Sequence, residues 1–371
     1  PTALATNELV PSNLRAIGLI PFIYYLPAIG FVILFADLEK RFGFPPLQTA
    51  VLIAFFLILL SGGLTTAQAY FLDWAREPKL LYETDGDLSA VSEFLNQQDI
   101  DGQSVYVAAP HYRHPTVAFL SDKYEEIKWL PESNALVLPS EGSSLYIYPH
   151  NSPQPPWAAD ILEKATPLQV PGMRFPEDAF TAYLLETPPT LDIMNQSDAD
   201  FGATATLLGY EIAAPVTAGS DLPLTLFWHV NKVSDADYQP FVHLEDSLNH
   251  RWSQVEAFAY PAEQWQPGET IIQQVRIPVP PGAPPGNYQL RVGLFDQETA
   301  ARAPRLDQDG NYAGDSVLLS DVPVLAGPVP EVLPVPPFKI SDEAAPNLEL
   351  TGYERGSRQV FTGESWGMAL W

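Results

Sequence analysis

Two apolar runs without charges near the start of the chain constrain its fold more than any other feature. They comprise residues 17–36 (IGLIPFIYYLPAIGFVILFA) and 47–67 (LQTAVLIAFFLILLSGGLTTA). An α-helix of about 20 residues crosses the hydrocarbon core of a bilayer, which is roughly 30 Å thick. Because only residues 37–46 join the runs, both outer flanks would lie on the same side. The sequence therefore predicts two transmembrane helices, about 17–36 and 47–69, in a membrane domain of residues 1–72 with a short hairpin loop.

Aromatic residues mark where the second helix should leave the membrane. Tyr70, Phe71 and Trp74 follow it directly, and amphipathic rings are enriched at the interface of bilayer and water. We therefore predict that these three residues lie at the membrane interface.

Lysine and arginine are nearly balanced between the two sides of the hairpin, so the positive-inside rule decides little about the orientation in the membrane. The large acidic remainder decides more, and it predicts a cell-membrane protein with the bulk of the chain extracytoplasmic.

The composition excludes several functional classes. The chain carries a formal net charge of −26 and has no cysteine. A surface of this sign repels the phosphates of nucleic acid, so no nucleic-acid partner is expected. Without cysteine there are no disulfides, thiolate zinc sites or thiol nucleophiles. The lipid bilayer is the partner that the sequence pattern itself indicates.

Residues 73–199 have the alternating pattern of a small layered α/β domain. Asp87 can cap a helix that carries apolar residues at helical spacing over 88–95. A further helix is expected over 157–164, and short apolar runs predict the strands. These strands are 105–109, 127–130, 135–138, 145–148 and 180–185. Because strands alternate with helices, we expect a layered sheet outside the membrane.

From Gly202 the pattern contains strands only. Clear runs cover 224–228, 240–244, 271–277 and 288–295, and turn signals such as Pro267-Gly268 bound them. This pattern is typical of an antiparallel β-sandwich of immunoglobulin-like type, which we assign to residues 200–326. The sandwich is expected to fold alone. Asp198 and Asp200, at the boundary of this domain, are interpreted as linker.

A proline-rich linker and a repeat complete the chain. Residues 327–346 are rich in proline and should be extended and semi-rigid. Leu208-Gly-Tyr-Glu211 then recurs as Thr351-Gly-Tyr-Glu354, about one domain later. The second copy has room for two strands. The sequence therefore predicts that residues 347–371 form the truncated start of a second β-sandwich.

A polar motif between a predicted strand and a predicted helix holds the ligand-binding candidates, His111, Tyr112, Arg113 and His114. Its place matters because ligands bind at the carboxyl ends of strands in open α/β sheets. The two histidines could share a metal, but no third ligand is in reach by sequence. The alternative is that these are polar loop residues that cap the helix. We assign no catalytic residue, no metal and no cofactor.

The aromatic residues of the sandwich could form a sugar-stacking surface or fill the core, and core packing is favoured. These residues are Trp228, Phe241, Trp252, Trp265 and Tyr288. Asp307-Gln-Asp-Gly310 is interpreted as a turn, because it lacks the spacing of a calcium loop. The sequence contains no glycine-rich phosphate loop and no nucleophile elbow.

Several segments resemble a family of membrane glycosyltransferases. In the first half, the segments similar to the C-terminal end of these polytopic (GT-C type) enzymes are 11–18, the two apolar runs, 70–74, 91–95 and 105–120. The family contains the dolichyl-phosphate-mannose protein mannosyltransferases and the bacterial lipid A aminoarabinose transferases. Residues 241–244, 265–269 and 285–295 resemble β-sandwich modules that are appended to such transferases in some bacteria.

The resemblance implies a function. The whole enzyme would move a sugar from a polyprenyl-phosphate donor to an extracytoplasmic acceptor, and carbohydrate would be its partner. In the family the catalytic acid lies in an early extracytoplasmic loop, and no residue here matches it. We therefore expect residues 1–371 to be the C-terminal part of such an enzyme and to be inactive alone. The alternative is a membrane-anchored cell-surface protein whose sandwich domains bind carbohydrate or protein without catalysis.

Overall fold

A computed structural model describes residues 20–42, 45–170, 178–234, 236–256, 260–328, 335–345, 348–355 and 368–370. The chain divides into two units, unit 1 (Pro1–Thr84) and unit 2 (Asp85–Trp371). Parts of the predictions lie outside the described residues. These parts are 1–19 and 43–44 in the predicted membrane domain, 329–334 and 346 in the predicted linker, and 347, 356–367 and 371 in the predicted second sandwich.

Unit 1 is helical and apolar. Helix α1 (Ile20–Phe42) and helix α2 (Pro45–Gln68) lie over the two predicted spans, and a short helix α3 (Pro78–Glu83) follows. Large apolar side chains of both long helices are exposed, for example Ile33 at 64% and Ile58 at 69%. Exposure on this scale along a whole helix is typical of a helix that meets lipid or another helix.

One stretch of the described residues, Thr49–Asp73, is long and apolar enough to cross a membrane, whereas the sequence predicts two. This stretch extends α2 through one turn of π-helix, Ala69–Asp73. Within the described residues α1 is not a second candidate, so this part of the chain offers one candidate span instead of two.

Unit 2 opens with a mixed sheet, called sheet A. The elements of this region, in chain order, are α4 (Gly86–Gln97), β1 (Ser104–Ala109), α5 (Pro115–Leu120), β2 (Ile127–Pro131), β3 (Ala135–Leu138), β4 (Ser144–Pro149), α6 (Ala159–Leu162), β5 (Thr166–Pro167) and β6 (Phe180–Leu185). Sheet A has the strand order β2-β1-β4-β6-β5, and β1 is parallel to both β2 and β4. Leu88, Val91 and Leu95 share one face of α4 and are buried together with Val105 and Val107 of β1. The apolar spacing of α4 therefore places it on one face of the sheet.

Two further sheets form a β-sandwich. Its strands are β7 (Asn195–Phe201), β8 (Ala205–Ile212), β9 (Val216–Thr217), β10 (Asp221–Val230), β11 (Tyr238–Glu245), β12 (Arg251–Glu256), β13 (Thr270–Pro278), β14 (Gly286–Asp296), β15 (Arg305–Leu306) and β16 (Val317–Leu325). Sheet B has the order β15-β7-β8-β10-β13-β3, and sheet C has the order β12-β11-β14-β16-β9. One core contains Leu226 of sheet B together with Val242 and Leu290 of sheet C. The Tyr210 hydroxyl of β8 donates to the carbonyl oxygen of Leu319 in β16 at 2.7 Å. The predicted β-sandwich is confirmed.

β3 joins sheet B, although the sequence analysis placed it in the α/β domain. It runs antiparallel to β13, with Val137 opposite Ile271. A short apolar run that is buried on both faces carries no sign of the sheet it belongs to. Tyr106 and Tyr146 of sheet A also belong to the same buried cluster as Leu226 of the sandwich. Sheet A and the sandwich thus share one core, which conflicts with the expectation that the sandwich folds alone.

Three local predictions differ from the structure. Asp85, not Asp87, is the N-cap residue of α4. Asp87 lies in the first turn and is buried, and its carboxylate accepts hydrogen bonds from the backbone N–H groups of Leu88 and Asn151, both at 2.9 Å. The segment that contains Asp198 and Asp200 is strand β7 and not linker. The predicted helix 157–164 is a 3₁₀ turn followed by the single turn of α6.

The sequence repeat is also a repeat of structure. Three strands, β17 (Phe338–Ala345), β18 (Leu348–Arg355) and β19 (Met368–Leu370), form a sheet in that order. Tyr353 of β18 lies opposite Phe338 of β17, as Tyr210 of β8 lies opposite Asn195 of β7. β19 then flanks β18 as β10 flanks β8. β17 occupies part of the segment that was predicted to be an extended linker.

Candidate functional site

The predicted ligand-binding motif lies at the edge of sheet A where its parallel strands end. The loop 110–114 follows β1 and precedes α5. From β1 the chain passes to β2 on one side, whereas β4 lies on the other side. A reversal of this kind opens a crevice at the carboxyl ends of the strands, where α/β proteins bind ligands. The motif is therefore in a position to contact a ligand.

The two histidines of the motif have different environments. His114 is buried, and its Nδ1 accepts a hydrogen bond from the backbone N–H of Thr116 at 3.3 Å. This bond makes His114 the N-cap of α5, so the capping interpretation is confirmed for this residue. The ring of His111 lies parallel to it at a centroid distance of 6.2 Å. Within the described part of the chain, no group of three or more His, Cys, Asp or Glu residues could hold a metal ion.

Tyr112 connects the loop to the sandwich. Its hydroxyl donates a hydrogen bond to the carboxylate of Glu263, which lies on the 3₁₀ turn Ala262–Gln264. Burial, and next the hydrogen bond to Glu263, raise the pKa of Tyr112 to about 12. The phenol therefore stays a donor at neutral pH. Because Glu263 is exposed, this bond adds only about 1 kcal/mol to stability, and another donor can replace it.

Arg113 extends from the same loop into solvent. Its guanidinium lies over the Tyr112 ring, 5.4 Å from the centroid. Its backbone has a φ of 53°, the left-handed conformation that glycine favours. A non-glycine residue held there costs on the order of 1 kcal/mol, so the surrounding contacts fix this loop. The charge of Arg113 is thereby presented at the edge of the sheet.

Two clefts flank the contact between Tyr112 and Glu263, and Glu263 lines both. Cleft A has a volume of about 470 Å³, and so has cleft B. Cleft A is lined by residues that include Arg113, Tyr124, Glu125, Lys128, Gln264 and Gln266. Cleft B is lined by residues that include Tyr112, Ser234, Asp237, Asp296 and Glu298. Both clefts lie between sheet A and loops of the sandwich.

A buried ionic network lies beneath cleft A. Glu269, only 2% exposed, forms an ion pair with Lys128 of β2. Its carboxylate also accepts hydrogen bonds from the hydroxyls of Tyr106 at 3.2 Å and Tyr260 at 3.4 Å, and from the backbone N–H of Gln266 at 2.9 Å. A buried charge is tolerated only when it is paired and hydrogen-bonded in this way. The network therefore joins sheet A to the sandwich and fixes the ammonium group of Lys128 at the cleft.

Gln264 closes the edge of sheet A. Its Oε1 accepts from the backbone N–H of Trp129 at 2.7 Å, and its Nε2 donates to the Trp129 carbonyl oxygen at 3.0 Å. The side-chain amide thus pairs with β2 as the backbone of a neighbouring strand would. A free strand edge is a site of unwanted pairing, and a side chain that occupies it removes that risk.

The sandwich aromatics fill the core, as favoured by the sequence analysis. Trp228, Phe241, Trp265 and Tyr288 are 2–5% exposed, and Trp252 packs partly buried against the same core. The rings that remain open at the clefts are the half-buried Tyr112 and Tyr124. Asp307-Gln-Asp-Gly310 is a turn, as predicted, with the Asp307 carboxylate accepting from the N–H groups of Asp309 and Asn311.

The predicted membrane-interface residues of unit 1 cluster at the end of the candidate span. Tyr70, Phe71 and Trp74 are 53%, 69% and 47% exposed. The ring of Tyr70 stacks on that of Trp74 at 4.8 Å and meets that of Phe71 edge-on at 5.1 Å. An exposed aromatic group in this place is typical of a membrane boundary.

Sequence reasoning found one wall of the clefts and missed the other. Tyr112 and Arg113 line them as expected, whereas His114 turns inward to cap α5. The opposite wall, Glu263 to Gln266, has no motif of its own. Its one sequence signal is the turn at Pro267-Gly268, which marks a loop that precedes a strand.

Comparisons with known proteins add little. No family model matches the chain, and no curated protein matches it. Among solved structures it is similar to the CARDB domain of the PF1109 protein in complex with di-metal ions from Pyrococcus furiosus, at 14% identity and a TM-score of 0.21, over 36% of this chain and 95% of that one. It is also similar to AvmM, which catalyses macrocyclization in alchivemycin A biosynthesis, at 10% identity and a TM-score of 0.17, over 36% of this chain and 94% of that one. At these TM-scores neither likeness carries an argument about fold or function.

Proposed function

We propose that unit 2 binds a neutral, hexose-based glycan in cleft A, outside a cell membrane in which unit 1 is anchored. The observation that carries this proposal is the lining of cleft A at the carboxyl edge of sheet A. Lys128 and Arg113 carry hydrogen-bond donors, Glu125 carries acceptors, and the amides of Gln264 and Gln266 carry both, so this lining can bond to the hydroxyl groups of a ligand. A sugar presents hydroxyls that need donors and acceptors close together. The ring of Tyr124 supplies an apolar face beside these groups.

The size and charge of the cleft favour a neutral ligand. Its volume of about 470 Å³ falls within the roughly 300–1,000 Å³ of small-molecule sites. The cations Arg113 and Lys128 are offset by Glu125, Glu126 and Glu263 in the same lining. An ionic ligand would meet repulsion from one of these sets, whereas a polyhydroxylated neutral ligand can use both.

The membrane part of the proposal rests on unit 1. The stretch Thr49–Asp73 has the length and composition of a span, and Tyr70 and Trp74 lie at its end as interfacial anchors do. The proposal also includes a second span formed by α1. It further includes an immunoglobulin-like type for the sandwich. The acidic bulk of the chain would then lie outside the cell.

The role of the bound glycan follows from the family resemblance. We assign unit 2 to the C-terminal part of a glycosyltransferase that uses a polyprenyl-phosphate-linked sugar, with cleft A holding the extracytoplasmic acceptor. The alternative role is that of a surface protein that binds glycan without chemistry. Because no residue of the chain is assigned to catalysis, the 371-residue chain alone should transfer no sugar from a polyprenyl-phosphate donor. Transfer by this chain would contradict that assignment.

Calorimetric titration tests glycan binding directly. The full chain in lipid nanodiscs is titrated with linear gluco-, manno- and galacto-oligosaccharides of one to six units. We expect saturable binding of at least one series, and a loss of about fivefold or more in Gln266→Ala, whose side chain accepts from Lys128 at 2.7 Å. Gln254→Ala, at an exposed residue of strand β12 that does not line cleft A, is the matched control and should bind normally. The proposal is wrong if no series binds at about 10 mM.

A further inference from the structure

Clefts A and B are neighbours along both of their walls. On the sheet A side, Arg113 lines cleft A and Tyr112, the preceding residue, lines cleft B. On the sandwich side, Val233 lines cleft A and Ser234, the next residue, lines cleft B. Glu263 lines both clefts. The two spaces therefore follow one another along a single seam between sheet A and the sandwich.

The partition between the clefts is the hydrogen bond from Tyr112 to Glu263. One of its partners is half-buried and the other is exposed, so its replacement exposes no apolar core. A sugar hydroxyl can donate to the Glu263 carboxylate in place of the phenol. Tyr112 lies on a loop of five residues between β1 and α5, and its ring packs partly buried against the core cluster of α4 and sheet A. A glycan hydroxyl therefore needs to replace only the phenol oxygen at Glu263, while the ring keeps its packing.

Cleft B offers the same kind of contacts as cleft A, with a different charge. Its lining includes Ser234, Asp237, Gln297 and Glu298. These side chains are rich in oxygen atoms that accept hydrogen bonds from hydroxyl groups. The carboxylates also make cleft B unfavourable for a phosphate or a uronic acid. A neutral sugar unit that leaves cleft A along the seam would enter a space suited to it.

We propose that clefts A and B are two subsites of one groove, that the Tyr112–Glu263 contact closes it in the free protein, and that the groove takes a chain of sugar units rather than a single unit. This inference rests on the proposed function, because it concerns the length of the glycan that the same site binds. In the chain-bound state a glycan hydroxyl replaces the Tyr112 hydroxyl at Glu263. Tyr112 thus acts as a specificity-determining residue for chain length.

The test measures how the affinity for a glycan depends on glycan length, in the wild-type protein and in two variants. The same oligosaccharide series, of one to six units, is titrated into the wild-type chain, Tyr112→Phe and Ser234→Trp, each in nanodiscs. In the wild type we expect affinity to rise from one unit to several. Tyr112→Phe removes only the hydroxyl, and it should bind the longer chains about 3- to 10-fold more tightly while its affinity for one unit is unchanged. Ser234→Trp fills cleft B and should bind every length as weakly as one unit.

Controls separate this inference from the proposed function. Ser247→Trp, on the loop after β11 and outside both linings, should behave as wild type, and unchanged melting temperatures show that the variants fold. If one unit and six units bind equally well in the wild type and in Tyr112→Phe, the clefts are separate and the inference is wrong, while glycan binding stands. If no length binds to any chain, glycan binding itself is wrong.

Discussion

The two units use the same apolar residue types in opposite ways. In unit 1, Ile33 and Ile58 are 64% and 69% exposed, whereas in unit 2, Ile271 and Ile277 are 3% and 0% exposed. Leucine shows the same contrast, since Leu34 of α1 and Leu59 of α2 are 56% and 57% exposed, whereas Leu224 of β10 is 0% exposed. Full burial of one such side chain contributes about 1.5–3 kcal/mol in water. In unit 1 many apolar side chains are exposed, so in water they would not contribute this free energy to folding.

The difference is the one expected if lipid surrounds unit 1, as we propose, and water surrounds unit 2. A helix that is apolar all round is stable in lipid, where no hydrophobic driving force penalises its exposed side chains. Unit 2 instead pairs the buried charge of Glu269 with Lys128 and gives its carboxylate hydrogen-bond donors. Substitutions that reverse this pattern should therefore damage one unit and leave the other intact.

The largest effect is expected from the buried ion pair of unit 2. Glu269→Gln leaves the ammonium group of Lys128 without its partner, and we expect the free energy of unfolding of unit 2 to fall by about 3–5 kcal/mol. Chemical denaturation followed by tryptophan fluorescence measures the change. Lys128→Met in the same chain should recover part of the loss, because the site is then neutral. Strict additivity of the two substitutions would show that the charges are not coupled.

A charge in the candidate span should act on unit 1 alone. Leu59→Lys places an ammonium group in the stretch Thr49–Asp73, at an expected cost of about 2.5–3.5 kcal/mol for membrane insertion. The fraction of chain that resists alkaline extraction from membranes should fall, while the melting temperature of unit 2 stays the same. Leu59→Phe is the matched apolar control. Normal membrane retention of Leu59→Lys would contradict the assignment of this helix to lipid.

Acidification should weaken unit 2 through His243. Burial, and next the positive charge of Arg251 and Arg302, lower the pKa of His243 from 6.5 to about 4. The folded state therefore binds fewer protons than the unfolded state between these values, so stability rises with pH across this window and is lost as pH falls from 6.5 to 4. The loss due to this group should be about 2–3 kcal/mol. Unfolding measured at several pH values should show a smaller decline for His243→Gln than for the wild type, and equal declines would refute this role.

The smallest effect is expected at the edge of sheet A. Gln264→Leu keeps the bulk of the side chain but leaves the N–H and C=O groups of Trp129 to water, so unfolding should be easier by about 1 kcal/mol. Glu263→Gln, one residue earlier and exposed, serves as the comparison and should change stability by less than about 0.5 kcal/mol. Differential scanning calorimetry resolves the two. Equal melting temperatures for Gln264→Leu and wild type would show that the hydrogen bonds of Gln264 to the Trp129 backbone do not stabilise unit 2.

The sequence predicted the helices and strands of unit 2 better than it predicted which strands pair with each other. The apolar spacing of Leu88, Val91 and Leu95 predicts α4, and the alternation along β10 and β14 predicts sandwich strands. β3 was assigned to the wrong sheet, because an apolar run of four residues contains no information about a strand that pairs with it from far along the chain. The same limit hid the shared core of sheet A and the sandwich.

Only the part of the candidate site on the loop 110–114 could be predicted from the sequence. The order strand, loop, helix places Tyr112 and Arg113 at the edge of sheet A, where ligands bind. Tyr112 and Glu263 are 151 residues apart in the chain, and the turn that carries Glu263 has no pattern that differs from an ordinary loop. A contact of this kind depends on how two sheets pack, which the periodicity of either sheet does not encode.

Hydrogen–deuterium exchange of the full chain in nanodiscs tests the central claim most directly, because it reports on both units at once. Exchange is followed by mass spectrometry with and without a six-unit oligosaccharide that binds in the titration. We predict that the amides of 49–73 are protected in both states, and that adding the glycan slows exchange in the loop 110–114 and in residues 262–266. Fast exchange in 49–73, or glycan protection confined to other parts of unit 2, would contradict the account.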